Sequence, residues 1–209
     1  MTMLSAHGVN LVFDVGANVG QFARSLRDAG YRGRIVSFEP LSHAREKLKT
    51  ASEGDDLWEI GPRAVVGDRD GEIEFHTAGN SVSSSALKML GEHVKAAPES
   101  AYVGSERLPL RRLDGIGREY IRPDSVLFIK IDTQGFEHQV LQGARELLKR
   151  SVGLHLELLF VPLYQGQHTF DELISESKAL GFEMWDIKAE QADGKNGRVL
   201  WGNGTFFRG

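Results

Sequence analysis

Asn10-Leu11-Val12-Phe13-Asp14-Val15-Gly16-Ala17-Asn18-Val19-Gly20 decides how the rest of this chain is read. An apolar run of strand length ends in an acid, small residues follow at alternate positions, and a helical pattern begins at once. That order describes a buried parallel strand feeding a tight turn into a helix, the geometry that holds a nucleotide-like ligand at a strand's carboxyl end. Gly16 and Gly20 permit a positive φ and carry no Cβ, so backbone can lie close against a ligand. Asn18, between them, is one of the few other residue types that tolerates the left-handed region.

A dinucleotide would set its pyrophosphate on a helix N-terminus behind a G-x-G-x-x-G turn. The spacing here is D-x-G-x-N-x-G, and the loop has no Lys or Arg. Asp14 brings a negative charge to the mouth of the loop, which repels phosphate. It suits the sulfonium or ammonium of S-adenosylmethionine (SAM), a nucleoside without phosphate. An acid ending the next strand should then accept hydrogen bonds from the ribose hydroxyls. Gly33-Arg34-Ile35-Val36-Ser37-Phe38-Glu39-Pro40 supplies it as Glu39. The blander alternative makes Asp14 a helix N-cap and Glu39 an exposed strand end. Two acids closing two successive strands favour SAM.

The 209 residues are expected to form a single α/β domain, 1–209. A chain of this size buries roughly 70% of its unfolded surface without a staple. The absence of cysteine excludes disulfides, thiolate metal sites and a Cys nucleophile. A net charge of −4 leaves no electrostatic footprint for nucleic acid. No apolar run approaches membrane-span length, and Met1-Thr2-Met3-Leu4-Ser5 lacks the basic start and apolar stretch of a signal peptide. The expected location is the cytoplasm. The seven histidines show no ligand spacing such as H-x-x-x-H, and no required metal is expected.

In chain order, Phe22, Ala23 and Leu26 form a helical stripe stopped by Gly30. Pro40 is read as opening a helix with Ala44, Leu48 and Ala51 on one side. Leu57 to Val66 reads as the third strand, irregular at Gly61-Pro62, and Ile73, Phe75 and Thr77 as a half-buried extra strand. The pattern weakens over residues 78–107, where polar Asn80-Ser81-Val82-Ser83-Ser84-Ser85 precedes a short helix with Leu87, Leu90 and Val94. A connection of that length is a lid or a mobile insertion. Leu108 to Leu113 is a strand that Pro109 should push to an edge. Ser125 to Asp132 and Gly153 to Phe160 are the fourth and fifth core strands, with a helix from Phe136 to Leu148 between them. Thr169-Phe170-Asp171-Glu172 is a capping box. Phe182 to Ile187 and Arg198 to Phe207 look like a closing antiparallel pair. The expected fold is a doubly wound, mainly parallel seven-stranded sheet with helices on both faces, Rossmann-like, ending in that pair.

Charges inside buried parallel strands stand out. Lys130 and Asp132 point the same way, as do His155 and Glu157, and both pairs lie near the carboxyl ends where ligands sit. Lys130 is read as a structural partner of Asp132 or Glu157, because unpaired buried charge is costly. Asp132 and Glu157 are read as functional. Methyl transfer needs donor and acceptor held in line and, for a hydroxyl acceptor, a base. Asp132 or Glu157 could serve, with His155 or His138 as competitors.

Three phrases together resemble the FkbM-type methyltransferases: Val12 to Gln21, Phe38-Glu39-Pro40, and Lys130-Ile131-Asp132-Thr133-Gln134-Gly135-Phe136-Glu137. The match continues through Val140-Leu141-Gln142-Gly143-Ala144, Leu156-Glu157, Pro162-Leu163-Tyr164 and Leu180-Gly181-Phe182. The resemblance implies the class I SAM methyltransferase fold and transfer to a hydroxyl of a sugar or polyketide-type small molecule. It implies that Asp14, Gly16, Asn18, Gly20 and Glu39, with Pro40 beside it, hold SAM. Ala64 and Val65 then meet the adenine, and Asp132 lies near the methionine end. Two places depart from the family pattern: Gln134 stands where an acid is common, and Trp201-Gly202-Asn203-Gly204-Thr205 lacks an Asp. N-methylation, SAM binding without turnover and a nicotinamide enzyme are the alternatives, the last disfavoured by the loop. Oligomeric state is not legible.

Overall fold

Apolar runs bounded by turn residues supply the strands of the structure, a computed structural model that describes residues 3–194 and 196–209. Met1 and Thr2, part of the N-terminal stretch read above, and Lys195 lie outside the described residues. The short helix α1 (Met3–Ala6) leads into β1 (Leu11–Val15), buried at all five positions. Then come α2 (Gln21–Asp28), β2 (Arg34–Phe38), α3 (Ser42–Ser52), β3 (Trp58–Ile60), β4 (Val65–Val66) and β5 (Gly71–Ala78). Next are α4 (Gly91–Ala96), β6 (Tyr102–Arg111), α5 (Leu113–Ile116), β7 (Leu127–Ile131), α6 (Glu137–Gly143) and α7 (Arg145–Arg150). The chain closes with β8 (Ser151–Leu159), α8 (Phe170–Ala179), β9 (Phe182–Ala192) and β10 (Val199–Arg208).

Seven strands form the main sheet in the order β3-β2-β1-β7-β8-β10-β9. The first five are parallel, and β10 runs antiparallel between β8 and β9. Strand order reverses beside β1, so a crevice opens at the carboxyl ends of β1 and its neighbours. Alternation divides β1 between two cores. Leu11, Phe13 and Val15 pack with Val140, Leu141, Leu148 and Leu173 from α6, α7 and α8. Val12 packs with Ala23, Leu48 and Trp58 on the α2–α3 face. Thr169 and Glu172 form the reciprocal capping box that starts α8.

Several elements depart from the expectation. The single strand read over residues 57–66 is two. β3 belongs to the main sheet and β4 to a second sheet, β4-β6-β5. Gly61-Pro62 falls at the break, where a Cβ on Gly61 would stand 2.4 Å from the Phe38 ring. β6 is the middle strand of that second sheet, not an edge. β4 pairs only with Leu110 and Arg111, so β6 stays unpaired on that side at Pro109, and proline's missing N–H is tolerated there. α3 begins at Ser42, which leaves Pro40 outside the helix, and the expected helix from Phe136 divides into α6 and α7 at Ala144. The second sheet joins the main body through Val65, Phe75, Leu108 and Leu110 packed with Leu41, Ala44 and Phe136. Among the described residues no helix is long and apolar enough to cross a membrane.

Candidate active site

A cavity of about 570 Å³ lies at the carboxyl ends of β1, β2, β7 and β8, within the usual range for a small-molecule or cofactor site. Gly16, Asn18, Glu39, Pro40, Ala64, Val65, Asp132, His155 and Glu157 all line it, which brings nine of the sequence-predicted residues to one place.

The loop after β1 is fixed by backbone. The Gly16 and Ala17 amides donate to the Phe38 carbonyl at 3.0 and 3.1 Å. Gly16 has φ +75°, and a Cβ there would come within 1.8 Å of the Asp132 carbonyl oxygen, so no other residue fits. The Asn18 amide donates to Glu39 Oε2 and the Leu41 amide to Glu39 Oε1, both at 2.8 Å. Burial raises the Glu39 carboxyl to about 7 even though those two amides favour its charge. Asn18 Oδ1 is buried and has no hydrogen-bond partner.

Two of the expected residues sit elsewhere. Asp14 is fully buried under the loop and does not line the cavity. It shares the α2–α3 face with Val12, and the register sets it opposite Lys130, whose Nζ lies 3.1 Å from Asp14 Oδ1. The negative charge expected at the loop mouth is therefore neutralised from within. Lys130 also donates to the Gly16 carbonyl at 2.9 Å and stands 3.6 Å from Asp132. It is a structural partner as expected, but its closest acid is Asp14. Gly20 does not line the cavity either. It is the N-cap residue of α2, at φ +87°, and a Cβ there would press on the Trp58 ring at 2.8 Å.

Opposite Glu39, the phrase after β7 builds a polar network. Gln134 Nε2 donates to Asp132 Oδ1 at 2.9 Å and to both Glu157 oxygens at 2.8 Å. Tyr164 donates its hydroxyl to Gln134 Oε1 at 2.9 Å, which fixes the amide with its NH₂ toward the acids. Ser85 Oγ donates to the Gln134 carbonyl at 2.7 Å. Burial raises the Glu157 carboxyl well above the ordinary range, with Asp132 and Glu137 adding repulsion. Burial likewise lifts Glu137 to about 7, although it accepts from the Thr133 amide and hydroxyl. His155 is lowered to about 4 by burial and by Lys130, and its Nδ1 lies 2.9 Å from Thr205 Oγ1. His138, the other competitor for the base, is not in the cavity wall.

Sequence reading missed Gln21, Phe22, Glu190, Trp201 and Asn203, which also line the cavity. It also gave no role to Gln134. One signal marks the active surface in retrospect. Among the described residues, Asn18, Ser81 and Gln134 are the non-glycine residues with positive φ, at +48°, +57° and +58°, and all three line the cavity. Such conformations cost about 1–3 kcal/mol each and cluster at functional sites.

The family model for the methyltransferase FkbM domain matches residues 14–184. The 2-O-methyltransferase NoeI of Sinorhizobium fredii is 25% identical over 166 residues. That match covers 75% of this chain, which spans 66% of the length of that relative. Among solved structures, the SAM-bound magnesium protoporphyrin IX methyltransferase of Synechocystis superposes with a TM-score of 0.50 at 11% identity, covering 99% of this chain and 74% of that one. A candidate RNA methyltransferase of Pyrococcus horikoshii gives 0.51 at 12% identity, covering 99% and 79%. At such identities these likenesses speak for the fold alone, the class I SAM methyltransferase fold. With the family model spanning most of the sequence, the chain belongs to the FkbM family of SAM-dependent methyltransferases.

Proposed function

We propose that the protein transfers the methyl group of SAM to a hydroxyl of a small acceptor, of the sugar or polyketide type. The observation that carries this reading is the bridged Asp132–Gln134–Glu157 group facing, across one cavity, the buried Glu39. One end is suited to a ribose and the other to a proton released from a hydroxyl.

The residues present fit the cofactor. Gly16 leaves backbone room, Asn18 Oδ1 is a buried acceptor in need of a donor, and Glu39 has lone pairs beyond those meeting the Asn18 and Leu41 amides. Pro40, Ala64 and Val65, with Leu41 and Phe75, offer an apolar wall for the adenine. Bound SAM supplies a methyl carbon activated by its positive sulfur. Asp132 would hold the methionine end, its side chain about one-third exposed and its charge shared with Lys130. Glu157 then takes the hydroxyl proton, since burial has lifted its basicity toward that task. His155 stays neutral at pH 7 and is left to orient the acceptor.

The acceptor side is lined by Phe22, Trp201, Asn203 and Glu190, an aromatic and polar mixture suited to a polyhydroxylated molecule. The 2-O-methyltransferase activity in the relative's name agrees with a hydroxyl acceptor. The chain's net charge of −4 disfavours a nucleic-acid acceptor. We read residues 1–209 as one domain in which 78–107 form the lid, because Ser81, Val82, Ser83, Ser84 and Ala86 close one side of the cavity.

The test is release of S-adenosylhomocysteine with panels of sugar, polyketide and amine acceptors, alongside calorimetry with SAM. Methylation confined to amines would refute the hydroxyl assignment. Failure to bind SAM would refute the site.

A further inference from the structure

Outside the cavity, one cluster of side chains has the makings of a second site. His138 on α6, His168 just before the cap of α8, and Glu176 within α8 each offer a ligand atom, and these atoms lie within 4.8 Å of one another. The two imidazoles stack face to face, centroids 3.6 Å apart and planes inclined by 12°. His138 Nδ1 lies 2.8 Å from Glu176 Oε2. His168 Nδ1 is buried and has no hydrogen-bond partner. A buried imidazole nitrogen without a partner is uncommon and calls for one. Gln142 Nε2 donates to Glu176 Oε1 at 2.7 Å, which holds the carboxylate in place.

We propose that His138, His168 and Glu176 bind a divalent transition-metal ion of the zinc type. Two imidazoles and a carboxylate are a donor set that zinc accepts, with water completing the shell. Metal–ligand lengths of about 2.0–2.2 Å require donors somewhat closer than the present spread. Modest rotation of the two rings, turning a nitrogen of each toward Glu176, would supply that. Gln142 plays the supporting part that a ligating carboxylate needs. Sequence spacing hides this site, since its ligands come from positions 138, 168 and 176 on two helices and a loop.

The ion is a clip, not a reactant. None of its three ligands lines the main cavity. It joins the start of α6, which follows Gln134 after Gly135 and Phe136, to the loop that runs on from Tyr164, and Gln134 and Tyr164 meet at 2.9 Å in the network above. Occupancy would hold both segments in place and raise thermal stability, while methyl transfer would proceed in excess chelator.

The test uses tag-free full-length protein freed of metal by chelator. Zinc titration by calorimetry and cobalt titration by visible absorption should each saturate at one equivalent, and the cobalt spectrum should show the intense bands of a low-coordinate ion with nitrogen ligands. His168→Ala and Glu176→Gln should each weaken binding by at least the roughly 10–100-fold that loss of an outer-shell partner costs, and remove the zinc-induced rise in Tm seen in the parent. Far-UV circular dichroism confirms that the variants are folded. If either titration lacks a saturable single equivalent, or His168→Ala binds as the parent does, the site is not there. Should one variant fail to fold, the other decides.

Discussion

Removing Lys130 should be among the most damaging single changes in this protein, and the reason lies in Asp14. Asp14 is completely buried, and its close cation is Lys130 Nζ at 3.1 Å, with Ser37 Oγ only at 3.4 Å. Burial works against the charge of Lys130, but Asp14 and then Asp132 outweigh it, so its pKa stands above the ordinary lysine value. Lys130→Met keeps the aliphatic stem and leaves a buried carboxylate alone. Breaking a buried pair in this way costs about 3–5 kcal/mol. For a chain of this size that corresponds to a fall in Tm of about 6–20 °C. The double variant Asp14→Asn/Lys130→Met should recover more than half of the loss, because no unpaired charge remains. A raised lysine contributes stability that is fully present below its unfolded pKa of about 10.4 and lost as pH rises through the folded value. The deficit of Lys130→Met should therefore be flat from pH 7 to 9. The assay is thermal and urea unfolding of the parent, both single variants and the double. A loss below about 1 kcal/mol for Lys130→Met, or strictly additive single effects, would refute the claim that this pair is coupled.

Gln134→Glu replaces the bridging amide with a third acid beside Asp132 and Glu157. The folded protein should then retain one extra proton, and stability relative to the parent should fall by about 1.4 kcal/mol per pH unit above the unfolded carboxyl pKa. Between pH 6 and 8 the gap in Tm should widen by about 5–10 °C; parallel curves would mean that Glu157 already carries a proton in the parent. Glu39, held at about 7 by burial, must be ionised to accept two ribose hydroxyls. Affinity for S-adenosylhomocysteine, measured by calorimetry, should be steady above pH 7 and fall roughly tenfold by pH 6. Glu39→Gln should be weaker throughout and lack that dependence. Asp132→Asn and Glu157→Gln should slow methyl transfer by about 10²–10⁴-fold while the proteins remain folded; parent-like rates in both would remove the proposed base.

Where the fold was legible in the sequence, a local rule carried the information. Leu11, Val12, Phe13 and Val15 set apolar side chains on both faces of β1 because both faces are covered, and a run of that kind can hardly be anything but an interior strand. Thr169 and Glu172 write their own helix start. The failures share a cause of the opposite kind. Pro109 reads locally as an edge residue, yet β6 is central, because its partner on one side is only two residues long. Asp14 reads locally as a charge at a loop mouth. Its partner Lys130 lies 116 positions away and becomes visible only when register sets β1 beside β7.

Gln134 shows the same limit at the candidate site, and why the limit matters for chemistry. In isolation it is an amide where the family resemblance leads one to expect an acid, which invites the conclusion that something has been lost. In the fold its amide joins two acids, its other face is fixed by Tyr164, and its backbone, at φ +58°, is held by Ser85. Those partners come from the residue just after β7, from β8, from the loop before α8 and from the segment after β5. An acid in that position would repel its neighbours and demand a proton, whereas the amide lets Asp132 and Glu157 stand side by side as acceptors. The residue that looked like a departure is thus the one that allows two carboxylates to be present together at the cavity wall.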